Sequence, residues 1–351
     1  MANKYKHTYK YLKHRYDLFC KLQKLSEVFD LLNITSKQYK KLTEKPPYKV
    51  FKVGKKLGGE RTIENPGYSL KKVQERLNGY LQATYYFEKT PLAYGFVTNT
   101  RNDKDRRDIL SNAQKHLNQP FMLNIDLKDF FHSIEVPQVW KVFGNAPFKF
   151  QREAVEALTR LTTYRGRLPM GTPTSPSLSN FAARKLDKAL AIYAEANSLA
   201  VTRYVDDITF SSESEITTNM LEDIKSLIVL HEFKLNEKKV QFYGEKDQKE
   251  VTGILLKGDE VALPDSFVSE LEQEIEQLAT VLLVQNQQGK LNTFWVENHK
   301  KHVRGKINFL GYVLGNNSVE KQRLLKLYEQ AIYPPPEDFG SYSWRSFHYQ
   351  I

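Results

Sequence analysis

Cysteine is almost absent: Cys20 is the only one among 351 residues. That excludes an intramolecular disulfide and any cysteine-rich zinc site, and it fits a reducing compartment. No apolar run approaches the ~20 residues that a membrane span requires, and the first residues, MANKYKHTYKYLKHRY, carry charge without the apolar core of a secretory signal. The expected location is the cytoplasm, with no membrane partner. Internal repeats and low-complexity linkers are also missing. Acidic residues are in the minority, 41 against 52 Lys plus Arg, leaving a formal charge of +11. The excess is spread along the chain, which favours a polyanionic partner, nucleic acid first, over plain solubility through charge.

What is present is globular. At 40% hydrophobic and 12% aromatic residues, the chain can bury one large core or two small ones. Residues 1–45 read as helix, with Leu18, Leu22 and Leu25 among Lys and Tyr, until Pro46-Pro47 ends the pattern. Tyr48 to Lys56 and Arg61 to Glu64 form a basic hairpin around Leu57-Gly58-Gly59-Glu60. An amphipathic helix follows from about Ser69 to Leu81, then a loop-rich section and a short helix with Asn112 and His116 on one face. A histidine so placed is ordinarily a structural one.

Two acidic stretches organise the rest. Phe121 to Leu127 alternates, with Phe121, Leu123, Ile125 and Leu127 facing one way and Asp126 the other. Arg203-Tyr204-Val205-Asp206-Asp207-Ile208-Thr209-Phe210 reads as two short strands meeting at an acidic tip. A long helix is predicted from about Ser175 to Ala196, and another carries Met220, Leu221, Ile224, Leu227 and Ile228. This order suits an α+β layer, an antiparallel sheet with helices on one face. Neighbouring strands lie only ~5 Å apart, so Asp126 and Asp206 can meet there. Adjacent carboxylates repel unless a cation neutralises them, and hard oxygen ligands suit Mg²⁺. Three aspartates flanked by basic segments are the layout for phosphoryl transfer with two Mg²⁺ ions, Mn²⁺ being a substitute. Asp129 is either part of that set or a surface residue. Beyond Pro264, Val268, Leu271, Ile275, Leu278 and Leu282 mark one face of a small helical bundle, up to a stop at Gly289. The basic run Lys300, Lys301, His302, Arg304 and Lys306 before Ile307 to Tyr312 suits a sugar-phosphate chain. A last helix is expected over about Ser318 to Ile332.

Asp126-Leu127-Lys128-Asp129-Phe130-Phe131, Gly171-Thr172-Pro173-Thr174-Ser175-Pro176-Ser177-Leu178-Ser179-Asn180 and Tyr204-Val205-Asp206-Asp207 resemble, in order and spacing, the reverse transcriptases of bacterial retrons and group II introns. The resemblance runs from about Tyr48 to Tyr312. Asn112-Ala113-Gln114-Lys115-His116 and Val251-Thr252-Gly253 resemble two signatures of retrons in particular. It implies a right-hand polymerase: residues 1–95 as N-terminal helix and fingers, 96–263 as remaining fingers and palm, 264–333 as helical thumb, and 334–351 as a tail.

The resemblance further implies that Asp126, Asp206 and Asp207 are the catalytic metal ligands, with the backbone carbonyl of Leu127 as an extra one. Arg61 with Lys55 or Lys56 holds the dNTP triphosphate, and Met170 and Gly171 line the nucleotide site. Phe131 lies under the sugar, where its ring would clash with a ribonucleotide 2′-OH. Asn112 and His116 become RNA contacts, Val251-Thr252-Gly253 a primer grip, Lys239 part of a lysine motif, and Arg304 and Lys306 RNA-binding residues at the thumb. Met170 departs from the pattern, which often has Gln there. A retron enzyme is implied to reverse transcribe a cognate structured non-coding RNA, primed from a guanosine 2′-OH, giving RNA-linked single-stranded DNA. The implied partners are an effector protein in anti-phage defence and a host RNase H, since no room remains after the thumb for such a domain. The alternatives are a group II intron-like enzyme without branched priming and a non-catalytic RNA-binding scaffold.

Overall fold

The computed structural model describes residues 8–54, 59–287 and 293–333, and it divides into two compact units, Met1–Asp247 and Gln248–Ile351. The first unit begins with three helices where the sequence suggested one: α1 (Tyr9–Lys21), α2 (Leu25–Leu32) and α3 (Ser36–Glu44). The breaks are set by local hydrogen bonds that compete with helix continuation. The Glu27 carboxylate accepts from the N–H groups of Gln23 and Lys24, Asn33 turns left-handed at φ 50°, and Thr35 exchanges capping bonds with Gln38.

The hairpin β1 (Tyr48–Gly54) and β2 (Glu60–Pro66) pairs in register from Tyr48↔Pro66 to Gly54↔Glu60. Helix α4 (Tyr68–Glu88) runs well past Leu81, and α5 (Ile109–Gln114), capped by Asp108, stops before His116. Then come β3 (Phe121–Asp126), α6 (Val136–Gly144), α7 (Arg152–Thr162), α8 (Ser175–Ala182), α9 (Arg184–Ala196), β4 (Ala200–Tyr204), β5 (Asp207–Ser212), α10 (Thr218–Leu230) and β6 (Gln241–Tyr243). The helix expected over 175–196 is thus two, meeting at Ala183. The four strands form an antiparallel sheet of order β4-β5-β3-β6. Leu123, Ile125, Ile208 and Phe210 face the core, where helix side chains such as Leu158, Leu178, Leu186 and Ile224 bury them. Phe19, Phe143, Phe148, Phe150 and Phe181 form an aromatic cluster in the same core.

In the second unit β7 (Lys249–Val251), β8 (Ile254–Lys257) and β9 (Glu260–Ala262) make a small antiparallel sheet. Helices α11 (Asp265–Gln287), α12 (Thr293–Leu314) and α13 (Val319–Ile332) follow. Leu271, Ile275 and Leu278 of α11 are buried as their spacing predicted, with Val303, Ile307 and Leu310 of α12 and Leu324 and Leu327 of α13. Lys55, Lys56, Gly289 and the tail 334–351 lie outside the described residues.

Candidate active site

The sheet register brings the aspartates together. Asp126 ends β3 directly opposite Asp207 at the start of β5. Asp207 also pairs with Tyr204, so Val205 and Asp206 form the two-residue turn of the β4-β5 hairpin. The Leu127 N–H donates to the Asp206 carbonyl at 2.9 Å, and the Asn236 N–H to the Asp126 carbonyl at 2.8 Å. One ligand atom from each of Asp126, Asp206 and Asp207 lies within 4.8 Å of the others.

Their electrostatics follow from that crowding. Burial, then repulsion from Asp126, raises the Asp206 pKa, while the Lys239 and Arg61 charges oppose the rise. Burial, then Asp206 and Asp126, pushes Asp207 up to about 7. The Asp126 carboxylate accepts from Asn236 Nδ2 at 2.9 Å and pairs with Lys239 Nζ at 2.5 Å. Burial works against the charge of Lys239, and the bond to Asp126 outweighs it, so its pKa is raised. Three oxygen-donor groups at this spacing, partly neutralised by one lysine, fit a divalent cation of the Mg²⁺ or Mn²⁺ kind. Sequence reasoning missed Asn236, because a polar residue in a loop carries no sign of the carboxylate it will bind.

Other expected residues gather near the same end of the sheet. Phe131, half-buried, contacts Phe96 and Phe130 with ring centroids 6.3 and 5.8 Å away. The Met170 carbonyl accepts from the Glu64 N–H at 2.7 Å, so the Met170-Gly171 loop is stitched to β2, three residues from Arg61. Gly171 has φ 109° and leaves no room for a side chain: a Cβ there would lie 2.9 Å from Ile63 Cγ2. Buried Glu64 accepts from Arg167 Nη2 at 3.3 Å, and His132 Nε2 lies 3.3 Å from its other oxygen. Arg61 is exposed.

The structure corrects the reading of Asn112 and His116 as RNA contacts. Both are buried, at 1% and 0% exposure. His116 sits between β4 and β5, with Nδ1 2.7 Å from Ser211 Oγ and Nε2 2.8 Å from Thr202 Oγ1. Burial holds its pKa down at about 3, so the ring is neutral. Neither side chain has surface to offer an RNA.

In the second unit Val251 is buried and Thr252-Gly253 form a two-residue turn with φ 51° and 86°. Both central residues being left-handed is the type I′ geometry that matches strand twist. Lys306 Nζ pairs with Glu274 at 2.7 Å, and Arg304 lies 3.9 Å from Glu329 and over the Tyr328 ring. Any sugar-phosphate contact by these two cations competes with those internal pairs. Among the described residues no helix is long and apolar enough to cross a membrane.

Residues 52–314 match the family model described as reverse transcriptase (RNA-dependent DNA polymerase). The chain belongs to the reverse transcriptase family. It is 30% identical over 284 residues to the Retron Ec86 reverse transcriptase of Escherichia coli, covering 79% of each chain. It is 24% identical over 307 residues to the Retron Ec83 reverse transcriptase of the same organism, covering 84% of this chain and 89% of that one. A telomerase from Candida albicans, solved in complex with a fragment of telomeric RNA, aligns with TM-score 0.44 at 10% identity, over 85% of this chain and 65% of that chain. Within the family this reverse transcriptase is of the bacterial retron kind, an RNA-directed DNA polymerase on an α+β fold. The aspartate cluster is its candidate site for the divalent ions that reverse transcriptases use.

Proposed function

We propose that this reverse transcriptase copies one structured non-coding RNA, its cognate, into single-stranded DNA that stays covalently linked to the RNA, starting from the 2′-OH of a guanosine in that RNA. The observation that carries the chemistry is the pairing of Asp126 with Asp207 across β3 and β5, with Asp206 at the adjoining turn. Asp126, Asp206 and Asp207 hold Mg²⁺, or Mn²⁺ in its place, with the Leu127 carbonyl as a further ligand. When bound, the ions supply an activated attacking hydroxyl and stabilise the leaving pyrophosphate. Lys239 neutralises Asp126 in their absence.

Arg61, with Lys55 and Lys56, neutralises the dNTP triphosphate. Phe131 underlies the sugar and excludes a 2′-OH, and Met170 and Gly171 close that side of the nucleotide. Val251-Thr252-Gly253 grips the primer end. In the hand description, fingers occupy residues 1–95 and part of 96–263, the palm carries the aspartates, and 264–333 is the thumb. An effector protein for anti-phage defence and a host RNase H complete the system.

Two measurements test this. Asp206→Asn is expected to abolish dNTP incorporation while RNA affinity stays near wild type, because losing a metal ligand damages chemistry more than binding. Sequencing nucleic acid copurified from the native host is expected to yield DNA joined to an internal guanosine of one short transcript. Extension only of annealed primers, on any RNA, would instead mark an enzyme without branched priming.

A further inference from the structure

The turn that presents Asp206 has an unusual backbone. Val205 sits at φ 65°, a region that β-branched residues rarely enter. Gly95 is pressed against it: a Cβ on Gly95 would lie 2.7 Å from both Val205 N and Val205 Cγ2. Behind the turn stands Arg203, the bulkiest fully buried side chain among the described residues. Its Nε and Nη2 donate to the two oxygens of Asp187 at 2.6 and 2.7 Å. Its Nη1 donates to the Val205 carbonyl at 2.9 Å and to Asn180 Oδ1 at 3.1 Å. Asn180 Nδ2 donates in turn to the Gly95 carbonyl at 2.9 Å, and Thr90 Oγ1 to Asp187 at 2.6 Å. Burial opposes the charge on Arg203, and Asp187 more than offsets it, so its pKa is raised and the guanidinium stays charged.

We infer that Arg203, oriented by Asp187 and Asn180, is a positioning residue for the metal site: it clamps the Val205 carbonyl, keeps the turn left-handed, and so holds Asp206 and Asp207 at the spacing needed to share a cation with Asp126. A buried ion pair gives a fold little that well-packed apolar residues would not. The planar fork of arginine, unlike the lysine ammonium, can grip a carboxylate with one edge and reach a carbonyl with the remaining nitrogen. The inference rests on the proposed role of the three aspartates as metal ligands.

The test is Mn²⁺ titration of the full-length, nucleic-acid-free protein followed by electron paramagnetic resonance, with metal-free melting temperature measured alongside. Arg203→Lys is expected to weaken Mn²⁺ binding about tenfold, the scale of one released backbone strain. Glycine takes positive φ without help, so in a Val205→Gly background the same change is expected to cost no more than about twofold. A purely structural Arg203 would lower the melting temperature in both backgrounds and leave Mn²⁺ affinity of the folded protein unchanged, which overturns the clamp. An equal loss of affinity in both backgrounds overturns it too. If Arg203→Lys does not fold, Asn180→Ala in the two backgrounds carries the same comparison. Asp206→Asn separates the two levels: unchanged Mn²⁺ binding there overturns the metal site itself, whereas loss there with wild-type binding in Arg203→Lys overturns the clamp alone.

Discussion

Asp207 and His116 are perturbed in ways that make opposite pH signatures. Asp207 titrates at about 7 in the fold against ~3.9 for an unfolded aspartate. Between those values the metal-free fold keeps a proton that the unfolded chain has released, so stability falls as pH rises through the window. Melting temperature in chelator is expected to drop from about pH 4 to pH 7 and to level off above, with a shallower slope in Asp207→Asn and in saturating Mg²⁺. His116 runs the other way. Held at about 3 against ~6.5 when unfolded, it contributes stability that is complete above that unfolded value and lost as pH falls toward 3. His116→Ala leaves the Ser211 and Thr202 hydroxyls without the ring, a loss of about 2 to 4 kcal/mol. Urea denaturation at neutral pH checks the loss, and the acid limb of the stability curve should flatten. The sequence marked His116 as special and misplaced its use. Spacing alone put it on a helix face with Asn112, whereas α5 ends at Gln114 and the chain turns the ring into the sheet.

At the level of elements, legibility followed the strength of the local pattern. β3 and the β4-β5 hairpin were readable because alternation and an acidic tip coincide, and their pairing then placed all three aspartates. α6 and α7 were not anticipated. The breaks between α1, α2 and α3, and at Ala183, depend on caps and on packing that helical periodicity does not register. The Gly171-Thr172-Pro173-Thr174-Ser175-Pro176 stretch leads into α8 and is braced by its own side chains: Ser175 Oγ donates to the Pro169 carbonyl at 2.6 Å and lies 2.6 Å from Thr172 Oγ1. What the sequence could not show is that this loop docks on β2 through Glu64 and Met170. Gly171 makes the docking possible, since its φ of 109° is open only to glycine and Ile63 fills the space a Cβ would take. Gly171→Ala is therefore expected to cost about 1 to 3 kcal/mol in denaturant unfolding. It should also raise the KM for dNTP, because the loop can no longer sit against the strand that leads to Arg61.

At the scale of the whole molecule, the charge of +11 was the earliest sign of a nucleic-acid partner, but it overstates the free positive surface at particular places. Lys306 pairs with Glu274, Arg323 with Glu272 and Glu320, Arg107 with Asp105, and Arg203 is consumed inside the core. Binding to RNA should still be dominated by phosphate neutralisation and counterion release. If roughly 6 to 10 phosphates are engaged, affinity falls by about 10³ to 10⁵ between ~50 and ~200 mM salt. Phosphate contacts position the RNA and carry no sequence information, whereas recognition of a folded RNA comes from shape, bases and 2′-OH groups, which salt screens far less. Plots of log affinity against log salt for the cognate transcript and for an unrelated structured RNA of equal length are thus expected to be parallel, the cognate line lying higher. Equilibrium binding of Asp206→Asn protein across a salt series measures both without turnover. Lines that merge as salt rises would mean that preference for the cognate RNA is only a matter of extra phosphates, which would remove the specific RNA recognition on which the retron reading depends.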